Sequence, residues 1–274
     1  MDYSKIIDLS PGRDRIEILH DLLLSRGFLM EYDEEGRLCL SDNCALSDGS
    51  CPRYTCDIWY SDIKFLRSLL KRSGLGTMGR DRIIHYSGKD FDDEVLSCFL
   101  DFEPDGRITY VHATWEVPSY FYGNPSENLR GPKIQLEVLE TYVGLLVKAL
   151  SAIGAHSFTS CDGHGWDDIH VGFVSFTHCC WAYANVEYAV KKLGVSYFCD
   201  FQGRKFHIRH NSSPEAYYRD IIRIARFIYE NRLKILEAKA RVLEEAEPEM
   251  YLNEDIKFDY TMDIMESAIR NALG

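Results

Sequence analysis

Ten side chains able to ligate metal or move protons fall between residues 156 and 180: His156, Cys161, Asp162, His164, Asp167, Asp168, His170, His178, Cys179 and Cys180. Imidazole, thiolate and carboxylate supply the lone pairs a divalent ion needs, and a hairpin can bring distant positions together. Asp162, His164, Asp168 and His170 surround one predicted loop. An Asp/His set of that kind suits Zn²⁺, Mn²⁺ or Fe²⁺ and would activate water for hydrolysis, with His164 and Asp168 as the candidate catalytic residues. His178 lies beyond reach of that set, because eight residues of straight strand separate it from His170 by roughly 26 Å. The plainer reading, which we favour, is a polar loop whose histidines cap backbone groups or face solvent.

A second set reads Cys39-x4-Cys44-x6-Cys51-x4-Cys56. Four thiolates in one loop can close tetrahedrally on zinc, in a structural role, since no coordination position stays open. The tight CxxC knuckle is absent, and four reduced thiols are the competing reading. A thiol nucleophile can also be drawn from Cys161 or Cys179 with His164 or His178, provided the fold makes them neighbours. The chain has 9 cysteines, an odd number that fits a disulfide framework poorly.

Two short motifs fail their context. Over four residues, Asp162-Gly163-His164-Gly165 resembles the DGHG signature of metal-dependent protein phosphatases, whose aspartate holds metal. Here the motif lies past the midpoint and leads into a predicted strand, so Asp-Gly is read as a tight turn. Gly74-Leu75-Gly76-Thr77-Met78-Gly79 spells a dinucleotide fingerprint, but a helix precedes it and a strand follows, the reverse of what pyrophosphate binding requires. Its glycines are read as a helix stop.

Composition narrows the class. The 274 residues carry a net charge of −12, which argues against direct nucleic-acid binding and leaves binding to a basic protein partner open. Aromatic residues make up 13%, ample material for a core. Apolar runs are too short to span a bilayer, and the charged start MDYSKIIDLSPGRDRIE lacks a signal-peptide core, so a cytoplasmic chain without a membrane segment is expected.

The positioning elements read as helices alternating with hairpins, an α+β class with antiparallel sheet. A helix is expected from Ser10-Pro11 to Ser25, and a hairpin from Gly27–Tyr32 and Arg37–Leu40. A second helix covers Ser61–Arg72. A hairpin of Val95–Glu103 and Arg107–Val117 turns at Pro104-Asp105-Gly106. Pro132 starts a buried helix to Ile153, and His156–Cys161 pairs with Ile169–Thr177. A helix at Ala182–Leu193, a hairpin turning at Gln202-Gly203 and a terminal helix at Tyr260–Leu273 complete the reading. Residues 118–132, with three prolines, read as a linker between an N-terminal lobe (1–117) and a C-terminal lobe (133–274).

One long helix is expected from Pro214 to Ala246. Its apolar positions repeat at 4,3 spacing: Tyr217, Ile221, Ile224, Ile228, Asn231, Ile235, Ala238 and Val242. β-branched residues at 221, 228, 235 and 242 favour paired helices, and Asn231 would fix their register. Packing within the chain explains the same pattern equally well. Together these features point to an acidic, non-catalytic protein that oligomerises through this helix and binds, inhibits or regulates another macromolecule. A metal-dependent hydrolase centred on Asp162, His164, Asp168 and His170 is the alternative.

Overall fold

The computed structural model describes residues 1–41, 53–101, 134–163, 168–209, 212–245 and 258–274. The elements, in chain order, are α1 (Arg15–Arg26), β1 (Met30–Tyr32), β2 (Leu38–Leu40), α2 (Arg53–Ser73), β3 (Gly76–Met78), β4 (Ile84–Tyr86), α3 (Asp93–Leu100), α4 (Thr141–Ala152), β5 (Ser157–Cys161), β6 (Ile169–Phe173), α5 (Phe176–Leu193), β7 (Phe198–Gln202), β8 (Lys205–Arg209), α6 (Pro214–Glu230), α7 (Arg232–Glu245) and α8 (Phe258–Leu273). The strands pair antiparallel, as an α+β chain of hairpins requires. No described helix is long and apolar enough to cross a membrane.

The chain gathers into two compact units that interleave in sequence. One comprises Met1–Thr109, Lys133–Lys148 and Ser212–Ile222; the other comprises Tyr110–Pro132, Ala149–Asn211 and Arg223–Gly274. The expected linker, 118–132, lies outside the described residues.

In the first unit, α1 begins later than Ser10-Pro11 suggested. Gly12 turns the chain at φ +88°, and Asp14 is the cap, its Oδ1 accepting from Ile16 N at 2.7 Å and Glu17 N at 3.2 Å. Ile18, Leu19, Leu22 and Leu23 are buried, and Gly27 ends the helix in the left-handed region. The β1–β2 hairpin forms as expected, with Asp33 accepting from Glu35 N and Arg37 N across the turn.

Helix α2 starts at Arg53, earlier than expected, and stops at Ser73 before the glycine-rich stretch. That stretch then pairs as the β3–β4 hairpin, the helix-then-strand context that argued against a nucleotide loop. Gly76 has φ +155°, and a Cβ there would lie 2.2 Å from His85 O. Gly76→Ala is therefore expected to destabilise the chain by about 1–3 kcal/mol, read as a lower urea midpoint.

Two expected elements of this unit change. Residues 95–100 are helix rather than strand, because Asp92 Oδ1 accepts from Val95 N at 2.8 Å and Asp93 and Glu94 favour the positive helix end. Val95, Leu96, Phe99 and Leu100 then share one buried face. The partner strand, Arg107–Val117, lies outside the described residues. The helix expected from Pro132 begins only at Thr141. Before it, three buried charges occupy backbone groups a helix would use. Arg26 donates to Leu136 O at 3.0 Å and Leu139 O at 3.3 Å. Asp62 Oδ1 accepts from Leu136 N at 3.0 Å, and Lys148 Nζ donates to Ile134 O at 2.6 Å. Residues 134–140 are thereby held extended around a short 3₁₀ turn at Leu136–Val138. Residues from 212 onward close the unit: Tyr218 stacks on Tyr142 with ring centres 3.8 Å apart, and Glu215 accepts from Asp2 N at 3.4 Å.

The second unit is built on a four-stranded sheet ordered β5-β6-β8-β7. Helix α5 packs on β6 and β8, over Ile169, Val171, Phe173, Phe206 and Ile208, all fully buried. Helix α8 packs on α5 and α7. The second strand of the first hairpin ends at Phe173, earlier than Thr177, because Ser175 caps α5 through His178 N. His178, Cys179 and Cys180 thus lie in a helix core and not at a strand end.

The long C-terminal helix is broken. Asn231 separates α6 from α7, its Nδ2 donating to Phe227 O at 2.8 Å in competition with its own backbone N–H at 3.2 Å. Arg232 adds a bond to Tyr229 O at 3.1 Å. Tyr217, Ile221, Ile224, Ile228, Ile235, Ala238 and Val242 are all buried within this single chain. Asn231 is half-buried.

Candidate functional site

Strand alternation divides the second unit's sheet into two chemically distinct faces. In β8, Phe206 and Ile208 point into the core, so Lys205, His207 and Arg209 point out. Residues paired directly across antiparallel strands share a face, with Cβ atoms about 4.5–5.5 Å apart. The registers Cys161↔His170, His170↔His207 and Asp200↔His207 therefore set four side chains in one row across all four strands, in the order Cys161, His170, His207, Asp200. The two imidazole rings lie with centroids 5.4 Å apart.

Neighbouring rows frame this one. On one side Arg209 bridges two carboxylates, Asp200 at 2.7 Å and Asp168 at 3.4 Å, while its own side chain stays 51% exposed. On the other side Gly172 leaves a gap: a Cβ there would meet Thr159 Oγ1 at 3.0 Å and Lys205 Cγ at 3.3 Å. The stem of Lys205 lies across that gap. At the hairpin end, Gly163 at φ +74° folds the chain back so that a Cβ would press on the Asp168 carbonyl. The same turn aims Gly163 N–H at Cys161 Sγ, 3.4 Å away. Thiol, imidazole and carboxylate in one row, with cations on either side, can exchange protons and can hold an anionic group.

Three members of the expected metal set stand at one hairpin end. His170 joins the row, Asp168 is held by Arg209, and Asp162 is 7% exposed beside the turn. His164 lies outside the described residues, as do Cys44, Cys51 and the side chain of Cys56 from the four-cysteine set. Cys39 Sγ donates to Glu31 O at 3.4 Å, and burial, then the Glu31 carboxylate, raise its pKa. Among the described residues no three His, Cys, Asp or Glu side chains are placed to hold a metal ion.

The thiol–histidine pairings drawn with His164 lie outside the described residues. His178 is fully buried, stacks on His156 with ring centres 4.2 Å apart, and accepts from His156 N through Nδ1 at 3.3 Å. Burial pushes Cys179 well above the usual thiol range and Cys180 and Cys199 up to about 12. These three remain protonated at neutral pH and are poor nucleophiles.

Sequence reasoning missed Lys205, Asp200, His207 and Arg209. The available signal was the strict alternation Lys205-Phe206-His207-Ile208-Arg209 after a Gly203 turn, which marks one polar and one buried face. It also missed the ions buried in the first unit, Arg26, Asp62 and Lys148. Compared with known proteins, the chain matches no protein family, no curated protein and no solved structure.

Proposed function

We propose that this chain works by binding, with the outer face of the four-stranded sheet as its contact surface and an acidic segment of a protein partner as its ligand. The observation that carries this reading is the placement of Lys205, His207 and Arg209 at alternate positions of β8, beside His170, in a chain of net charge −12. Asp168 and Asp200 share Arg209, and Lys205 adds a second cation on the same face, its stem beside Gly172. Lys205 and Arg209 can make charge-assisted hydrogen bonds to carboxylates of an acidic ligand on this face. Self-association through Tyr217 to Val242 is not carried forward, because the chain already buries those apolar positions.

Calorimetric titration with a glutamate-rich peptide tests the reading. Wild-type protein is expected to bind it in a salt-sensitive manner, and Lys205→Glu to weaken binding about tenfold. Equal binding by the variant, or preference for a lysine-rich peptide, would overturn it.

A further inference from the structure

Among the described thiols, Cys161 is the one whose partner in the sheet register is a histidine. It ends β5 opposite His170, accepts an N–H from Gly163 at 3.4 Å, and is 9% exposed. Cys179, Cys180 and Cys199 are buried thiols held in their protonated form. An adjacent imidazole able to take a proton, together with an amide donor on sulfur, favours thiolate, which is the nucleophilic form. The row continues through His207 to Asp200, so positive charge gained by His170 lies two positions from a carboxylate.

We propose that Cys161 and His170 form a thiolate–imidazolium pair, and that this pair is a site of oxidation by hydroperoxides on the sheet's outer face. The Cys161 thiolate attacks one peroxide oxygen; the S–O bond forms as the O–O bond breaks. Sulfur is oxidised by two electrons to the sulfenic acid, and the peroxide is reduced. The departing hydroxide takes the proton held on His170 and leaves as water. The 9% exposure of Cys161 suits a water-sized oxidant and disfavours a bulky one. Because this inference rests on the thiol's own neighbours, it stands apart from the partner reading, and the two can fail separately.

The test needs no partner. Native protein is treated with hydrogen peroxide for timed intervals across a pH series, quenched with catalase, unfolded and alkylated, and each cysteine peptide is quantified by mass spectrometry. Cys161 is expected to lose its free thiol at least tenfold faster than the half-buried Cys98, with a lower pH midpoint. His170→Asn is expected to slow Cys161 about tenfold and leave Cys98 unchanged. Oxidation of Cys161 no faster than Cys98 in the wild type overturns the proposal without any variant. A His170→Asn protein that melts like the wild type and oxidises Cys161 at the wild-type rate overturns it as well.

Discussion

Replacing Asp62 with alanine is expected to lower the unfolding free energy by about 3–5 kcal/mol, the usual consequence of stripping one partner from a buried ion pair. Asp62 and Lys148 meet at 2.6 Å with 2% and 3% of their side chains exposed. Asp62 also accepts Leu136 N, and its charge opposes the burial that pulls the Arg26 guanidinium down to about 9. Arg26 therefore remains a cation at neutral pH, stacked 5.0 Å from the Phe65 ring. Alanine at 62 would strip Lys148 of its carboxylate in a dry interior and leave Leu136 N without its acceptor. Urea denaturation at pH 7 reads the loss. The double change Asp62→Leu with Lys148→Met should recover a large part of it, because apolar replacement removes the desolvation cost of both ions. A single variant as stable as the wild type would mean the cluster contributes nothing.

The second large effect is expected at a lysine in the interior of the second unit. Lys239 is fully buried on α7, donates to Gly154 O at 2.8 Å, and burial pulls its pKa down to about 7 from the ordinary 10.5. The folded chain then releases this proton near neutrality, while the unfolded chain keeps it until about pH 10.5. Between those limits the unfolded state binds more protons, so stability rises with pH through the window and is lowest below pH 7. At about 1.4 kcal/mol for each pH unit, the whole span amounts to roughly 4–5 kcal/mol. Lys239→Met should remove that slope and make the protein more stable at pH 6, with the advantage shrinking toward pH 10. Chemical denaturation at several pH values measures it. Parallel wild-type and variant curves would show that Lys239 does not titrate with folding.

The hairpins were the most legible part of this chain, because Asp33 to Gly36 and Gln202-Gly203 encode their turns locally. Residues 95–100 misled for a local reason too: Val, Leu, Cys and Phe suit strands, and the choice was made by Asp92, whose side chain satisfies a helix N-terminus. The heptad of 217–242 correctly marked a buried stripe, but its single polar member, Asn231, reads in a sequence as a register device and acts in the structure as a helix break. Buried Asp62 and Lys148 were invisible, since a charge among leucines on a helix face looks like tolerated surface. The polar row escaped because ligands were sought close in sequence, whereas sheet register joins Cys161 and His170 to Asp200 and His207 across some forty residues.

The interleaving of the two units has a consequence for how the protein is made. Residues 212–222 complete the first unit, through Glu215 on Asp2 and Tyr218 on Tyr142. A ribosome delivers them only after it has delivered the sheet of the second unit, so the first unit cannot finish on its own as an N-terminal domain normally does. The nascent chain must hold its opening hundred residues unfinished while β5 to β8 emerge. A gene cut between the N-terminal and C-terminal halves would divide the first unit's residues between two fragments.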